Sequence, residues 1–181
     1  MSLPRSVLAA AAALGLVMTA GCGSGDGSPA TAPTAIDGLA GVHWDQYVRS
    51  CSIDEGGSGL GTVIDDVVKG DVTADGRVDT LVVDRCNAST SSWPQVIEVF
   101  DGASNPARPR RLATLLKGDP DYPRDVRVTV EPGGRVVVAG RGLSPAAALC
   151  CPDIEIRRVF TWSDGSFSLT ESSTAPAAQP T

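Results

Sequence analysis

Large aromatic rings are scarce in this chain of 181 residues: three Trp, two Tyr and three Phe make up 4% of it. Gly (20) and Pro (13) are plentiful, which favours short elements and many turns over long helices. Histidine is scarcer still. The single His43 excludes any mechanism that needs two or three imidazoles. Positive charge is also short, with 15 Lys and Arg against 21 Asp and Glu, a net charge of −6. Phosphate backbones need a positive surface, so nucleic acid is not the expected partner. There is no Cys-x-x-Cys and no Gly-x-Ser-x-Gly, the local signatures of thiol redox proteins and of one class of serine hydrolase. What remains is globular, at 42% hydrophobic and 20% charged residues. The length suits one domain with appendages.

No apolar run is long enough to cross a membrane. The best, Val7–Thr19, falls short of the about 20 residues that a bilayer of ~30 Å requires. Preceded by Arg5, it suits the apolar region of an export signal. Thr19-Ala20-Gly21-Cys22 follows at once. These residues resemble the lipobox of bacterial lipoproteins, with Thr19 where an aliphatic residue is more usual. The resemblance implies that residues 1–21 are a signal peptide and that Cys22 becomes the first residue, acylated on its thiol, with palmitate among the acyl chains. Each buried methylene adds ~0.8 kcal/mol to anchoring, so two or three chains hold a protein on the membrane. The expected location is the extracytoplasmic face of the cell membrane. The alternative is an ordinary secretory signal with Cys22 incidental.

Residues 22–40 are rich in Gly, Ser, Pro, Thr and Ala without periodicity and read as a flexible tether. Its reach is on the order of 25 Å. Residues 173–181 read as a disordered polar tail, which leaves 41–172 as one β-rich domain. Within it the hydrophobic pattern has period two, bounded by turns. Strands are expected at 63–72, 78–86, 95–101, 111–116, 125–131, 135–139, 154–162 and 166–170, with one short helical turn at Trp44–Val48. Val126, Val128 and Val130 alternate with Arg127, Thr129 and Glu131, as a half-buried strand should. Asp164-Gly165 supplies the turn of the last hairpin, in which Ile154, Ile156, Phe160 and Trp162 are expected to share a face. The fold class is mainly β: an antiparallel meander of about eight short strands forming a sandwich or incomplete barrel. No fixed repeat argues for a propeller.

One loop carries chemistry. Asp71, Thr73, Asp75 and Asp79 offer side-chain oxygens, Arg77 offers a carbonyl and Gly76 permits the sharp turn. The spacing resembles the calcium loop of FG-GAP and VCBS repeats, D-x-D/N-x-D-G-x-x-D, with Thr73 in place of an acid. The resemblance implies calcium as the only cofactor, held weakly by Asp71, Thr73, Asp75, Arg77 and Asp79, in the ~10⁻⁴–10⁻³ M range. The bland reading is a hairpin loop of turn-forming residues with solvated carboxylates.

Beyond the anchor, Cys51, Cys86, Cys150 and Cys151 make an even count in an exported chain and are disulfide candidates. Adjacent residues of a strand point to opposite faces, so Cys150 and Cys151 are able to staple two different partners. A bridge between them, with Cys51–Cys86, is the alternative. The pairing stays open. Together with the lipobox, the stretch Gly70–Asp79 running into Leu81–Cys86, the late Cys150-Cys151-Pro152 and the Thr161–Gly165 hairpin resemble small envelope lipoproteins of actinobacteria. That group implies a location and no activity.

No catalytic residue is assigned. Arg108, Arg110 and Arg111 read as a solvated entry to a strand. Asp65, Asp66, Asp119, Asp121, Asp153 and Glu155 offer carboxylates with nothing to select a pair. The expected function is a non-catalytic binding or scaffolding module, partnered by the membrane through its lipid and by an envelope protein or glycan. The alternative is a hydrolase of cell-wall polysaccharide or peptidoglycan.

Overall fold

A computed structural model describes residues 36–55, 59–87 and 93–178. The expected signal peptide, Cys22 and the greater part of the expected tether lie outside them. Among the described residues eight strands form two antiparallel meanders, one after the other. The first sheet holds β1 (Thr62–Gly70), β2 (Asp79–Cys86), β3 (Val96–Phe100) and β4 (Arg111–Leu115) in that order. The second holds β5 (Arg124–Glu131), β6 (Arg135–Gly142), β7 (Ile154–Ser163) and β8 (Ser166–Pro176). Within each sheet every pairing joins strands that are consecutive in sequence, so no crossover connection is needed. At the last turn Asp164 and Gly165 have φ of 51° and 79°, the two positive values that a type I′ hairpin requires.

The sheets share one core, as a sandwich does, and neither closes into a barrel. Leu81, Val83, Ile97, Val99 and Leu115 from the first sheet meet Val126, Val136, Val138 and Phe160 from the second. Gln95 ties the layers together. Its Nε2 donates to Asp65 at 2.6 Å, and its Oε1 accepts the Val126 N–H at 2.7 Å. That N–H lies where β5 slips register against β6, so it lacks a ladder partner and needs this one.

The opposite face of the first sheet is also buried. Leu39, Trp44 and Val48 pack on Val82 and Phe100, with the Trp44 and Phe100 ring centres 4.8 Å apart. This is why β2 reads Leu-Val-Val without alternation: apolar layers cover both of its sides. Trp44–Gln46 forms a single 3-10 turn, where a helical turn was expected. Cys51, in the same covering segment, is bridged to Cys86 at the end of β2.

Two boundaries differ from expectation. The packed chain starts before residue 41: Ile36 bridges Arg77, and Leu39 is 1% exposed. At the other end β8 continues through Ser173–Pro176, paired with Ile154–Arg157. Backbone pairing along an edge strand needs no apolar side chains, so a polar sequence hid it. In β7 the shared face is Ile156, Arg158 and Phe160, opposite Gly140, Val138 and Val136; Arg158 points inward among apolar residues.

The Cys51–Cys86 bridge spans 35 residues and pins the covering segment to β2. Replacing both cysteines with Ala is expected to lower stability by about 4 kcal/mol, measured by urea unfolding, with the β-sheet circular dichroism retained.

Candidate functional site

The Asp loop joins β1 to β2 and is closed by its own backbone. Asp71 Oδ1 accepts from the Asp75 N–H at 3.1 Å and its Oδ2 from the Gly76 N–H at 2.9 Å. Asp75 Oδ1 accepts from the Arg77 N–H at 2.8 Å. Asp79 is fully buried and faces the other way. Its Oδ2 accepts from the Val72 N–H, the Thr73 N–H and the Thr73 hydroxyl, each at 3.0 Å; its Oδ1 accepts from the Gly102 N–H at 2.7 Å. Gly102 is required there, because a Cβ would sit 2.2 Å from the Val78 carbonyl oxygen. Burial raises the Asp79 pKa, opposed by those same hydrogen bonds. Asp79 thus staples the β1–β2 loop to the chain after β3. To take calcium it would have to release these donors. Among the described residues no group of three or more His, Cys, Asp or Glu converges in a way that holds a metal ion.

A second acidic cluster was not foreseen. Asp84 on β2 and Glu98 on β3 point to the covered outer face of the first sheet, and both are fully buried. Glu98 Oε1 accepts from the backbone N–H groups of Arg49 and Ser50, at 2.5 and 2.7 Å, and its Oε2 pairs with Arg111 at 2.7 Å. The Ser50 hydroxyl donates to Asp84 Oδ1, while Asp84 Oδ2 has no hydrogen-bond partner. Burial pushes the Asp84 carboxyl up to about 7, helped by the negative charges of Glu98 and Asp65 and opposed by Ser50 and Arg111. Asp84 and Glu98 lie 14 residues apart on consecutive strands, and nothing local in the sequence marks them as neighbours on one buried face.

Most of the carboxylates weighed for catalysis are held in hydrogen bonds or ion pairs. Asp65 pairs with Arg85 at 3.1 Å and with Gln95, and Asp66 Oδ1 accepts the Val67 N–H. Asp119 and Asp121 both receive the buried Arg158. Asp153 accepts from the Ser144 N–H and hydroxyl, which lowers its pKa. Glu155 lies exposed on β7. Of the three arginines read as a solvated strand entry, Arg110 pairs with the buried Asp101 at 2.5 Å and Arg111 with Glu98. His43 is exposed beside the covering segment.

An open cleft of about 460 Å³ lies at one end of the domain. Trp93, Pro94, Val96, Leu116, Pro120 and Tyr122 give it an apolar lining, with Arg85, Lys117 and Asp119 among the polar groups around it. Leu116 and Tyr122 hold positive φ values of 64° and 50°, conformations that non-glycine residues rarely adopt and that cluster at ligand sites. Trp93 is the only tryptophan placed at the cleft: Trp44 is in the core, and Trp162 packs on Phe167 at 4.9 Å. The four cysteines among the described residues form Cys51–Cys86 and the adjacent bridge Cys150–Cys151.

Comparison of the chain with family models, with curated proteins and with solved structures finds no match.

The Asp84 pKa sets the sign of a pH effect. Between the ordinary carboxylate value and about 7 the folded protein holds a proton that the unfolded chain has lost, so stability falls as pH rises through this window and levels off above it. Asp84→Asn is expected to flatten the fall between pH 5 and pH 8. At pH 8 it should unfold at higher urea than the parent, by on the order of 2–4 kcal/mol. The loop makes a separate prediction, read by thermal unfolding in EDTA. Asp79→Ala should destabilise by roughly 3 kcal/mol and Asp75→Ala by less than ~1 kcal/mol. A calcium-dependent rise in melting temperature that Asp75→Ala removes would instead establish the loop as a cation site.

Proposed function

We propose that this chain is a cell-envelope lipoprotein, held on the extracytoplasmic membrane face by acyl chains on Cys22, whose β-sandwich is a non-catalytic binding module. The anchor rests on the Thr19–Cys22 motif behind a short apolar run. The binding half rests on one observation: an apolar cleft with Trp93 and Tyr122 in its lining and charged groups around it. Such a cleft accepts a compact group with an apolar face and polar edges, as a sugar ring or an aromatic side chain of an envelope partner presents. Tyr122 is 44% exposed and available to a ligand.

The hydrolase reading has less behind it. Cleavage of a glycosidic bond needs two carboxyl groups reachable by a polymer. The group with the near-neutral pKa, Asp84, is covered by the chain segment that carries Ser50.

The test uses intact cells carrying a photo-cross-linking phenylalanine analogue at Tyr122, with palmitate labelling in parallel. The expected result is a labelled membrane protein that cross-links repeatedly to one envelope component. Cys22→Ser should abolish labelling and membrane retention. Trp93→Ala should keep both and lose the cross-link. Absence of label on Cys22 would sink the anchor, and absence of any recurrent neighbour would sink the binding module.

A further inference from the structure

Cys150–Cys151 joins residues one apart in the chain. A bridge stabilises a fold by restricting the unfolded chain, and the effect grows with the length of loop it closes. This one closes no loop. Cys51–Cys86 spans 35 residues and is buried, at 2% and 6% exposure although Cys86 is among the residues around the cleft, whereas Cys150 and Cys151 are both exposed to solvent. The two bridges therefore differ in both respects that govern reactivity, access and structural need.

The surroundings of the adjacent pair add a third difference. The pair lies between β6 and β7 in a turn where the Cys151 N–H donates to the Ala148 carbonyl at 2.9 Å. Two arginines hold the chain on either side of it. Arg124 Nη1 donates to the carbonyl of Leu149, just before Cys150, at 2.6 Å; Arg141 Nη2 donates to that of Pro152, just after Cys151, at 2.7 Å. Ser144 and Asp153 close the base of the connection at 2.6 and 2.7 Å. The connection is thus fastened without the bridge.

We propose that Cys150–Cys151 is a thiol–disulfide exchange site open to small thiols, while Cys51–Cys86 is closed to them. A thiolate RS⁻ attacks Sγ of Cys150; the RS–Sγ bond forms as the Cys150–Cys151 bond breaks, and the electron pair leaves on Sγ of Cys151. A second RS⁻ attacks the sulfur donated by the first, releasing RSSR and the thiolate of Cys150. Both protein thiolates take protons from water. In sum, two RSH are oxidised to RSSR and the bridge is reduced to two thiols; a small disulfide reverses the sequence.

The test takes the full-length protein, isolated oxidised, through graded ratios of reduced to oxidised glutathione. Acid quenching, alkylation and peptide mass mapping then report each cysteine. Cys150 and Cys151 should become labelled at reductant levels at least about tenfold below those that open Cys51–Cys86. The melting temperature should stay within a few degrees. Cys151→Ser should trap glutathione on Cys150. The Cys150→Ser/Cys151→Ser variant should fold with a near-parental melting temperature. Simultaneous opening of both bridges, earlier opening of Cys51–Cys86, or a Cys150–Cys151 pair that opens only as the domain unfolds would overturn the proposal. So would a double variant that loses its stability, because the bridge would then be structural.

Discussion

Strand β2 lies between two apolar layers, and the molecule is arranged so that neither is missing. On one side the second sheet supplies Val136, Val138 and Phe160; on the other the segment before β1 supplies Leu39, Trp44 and Val48. A chain this poor in large rings gains little core from any one side chain, so burying one sheet on both faces raises the apolar area removed from water. The arrangement makes the covering segment indispensable. It is fastened by the Cys51–Cys86 bridge and by the N–H groups of Arg49 and Ser50 on Glu98.

That cover also explains the internal electrostatics. A net-negative protein buries Asp79, Asp84, Glu98 and Asp101, and it satisfies most of their oxygens with backbone N–H groups and arginines. Such donors keep a buried carboxylate tolerable, and their removal leaves an unpaired charge. Asp84 is the exception, with one oxygen unpartnered and a pKa near neutral. Arg158 mirrors this logic in the second sheet, where Asp119 and Asp121 hold its guanidinium inside the sandwich. The acids that looked available for chemistry are for the most part parts of the frame.

Cleft and exposed bridge share a piece of chain. Leu116–Tyr122 lines the cleft, and its continuation is tied to the β6–β7 connection: the Leu143 N–H donates to the Asp121 carbonyl at 2.7 Å, and Arg124 reaches Leu149. Three residues of positive φ, Leu116, Tyr122 and Asp125, lie in this same stretch.

Strands, turns and the order of the meander were legible in the sequence, because alternation of apolar and polar residues and Asp-Gly or Gly-Gly turns are local properties. The eight expected strands are present, though the pattern hid that two four-stranded sheets follow each other with no repeat in sequence. Ser173–Pro176 escaped notice because an edge strand pairs through its backbone alone. The candidate site was less legible. The spacing of Asp71, Thr73, Asp75 and Asp79 marked the loop, but only the fold turns Asp79 inward to Gly102, a residue on another turn. The neighbourhood of Asp84 and Glu98, the inward Arg158, the choice of cysteine partners and the cleft all depend on which faces of distant strands meet. Local pattern determined the strands; the stacking of one sheet on another and the cover over the first decided the chemistry, because contacts between residues far apart in the chain exist only once those layers pack.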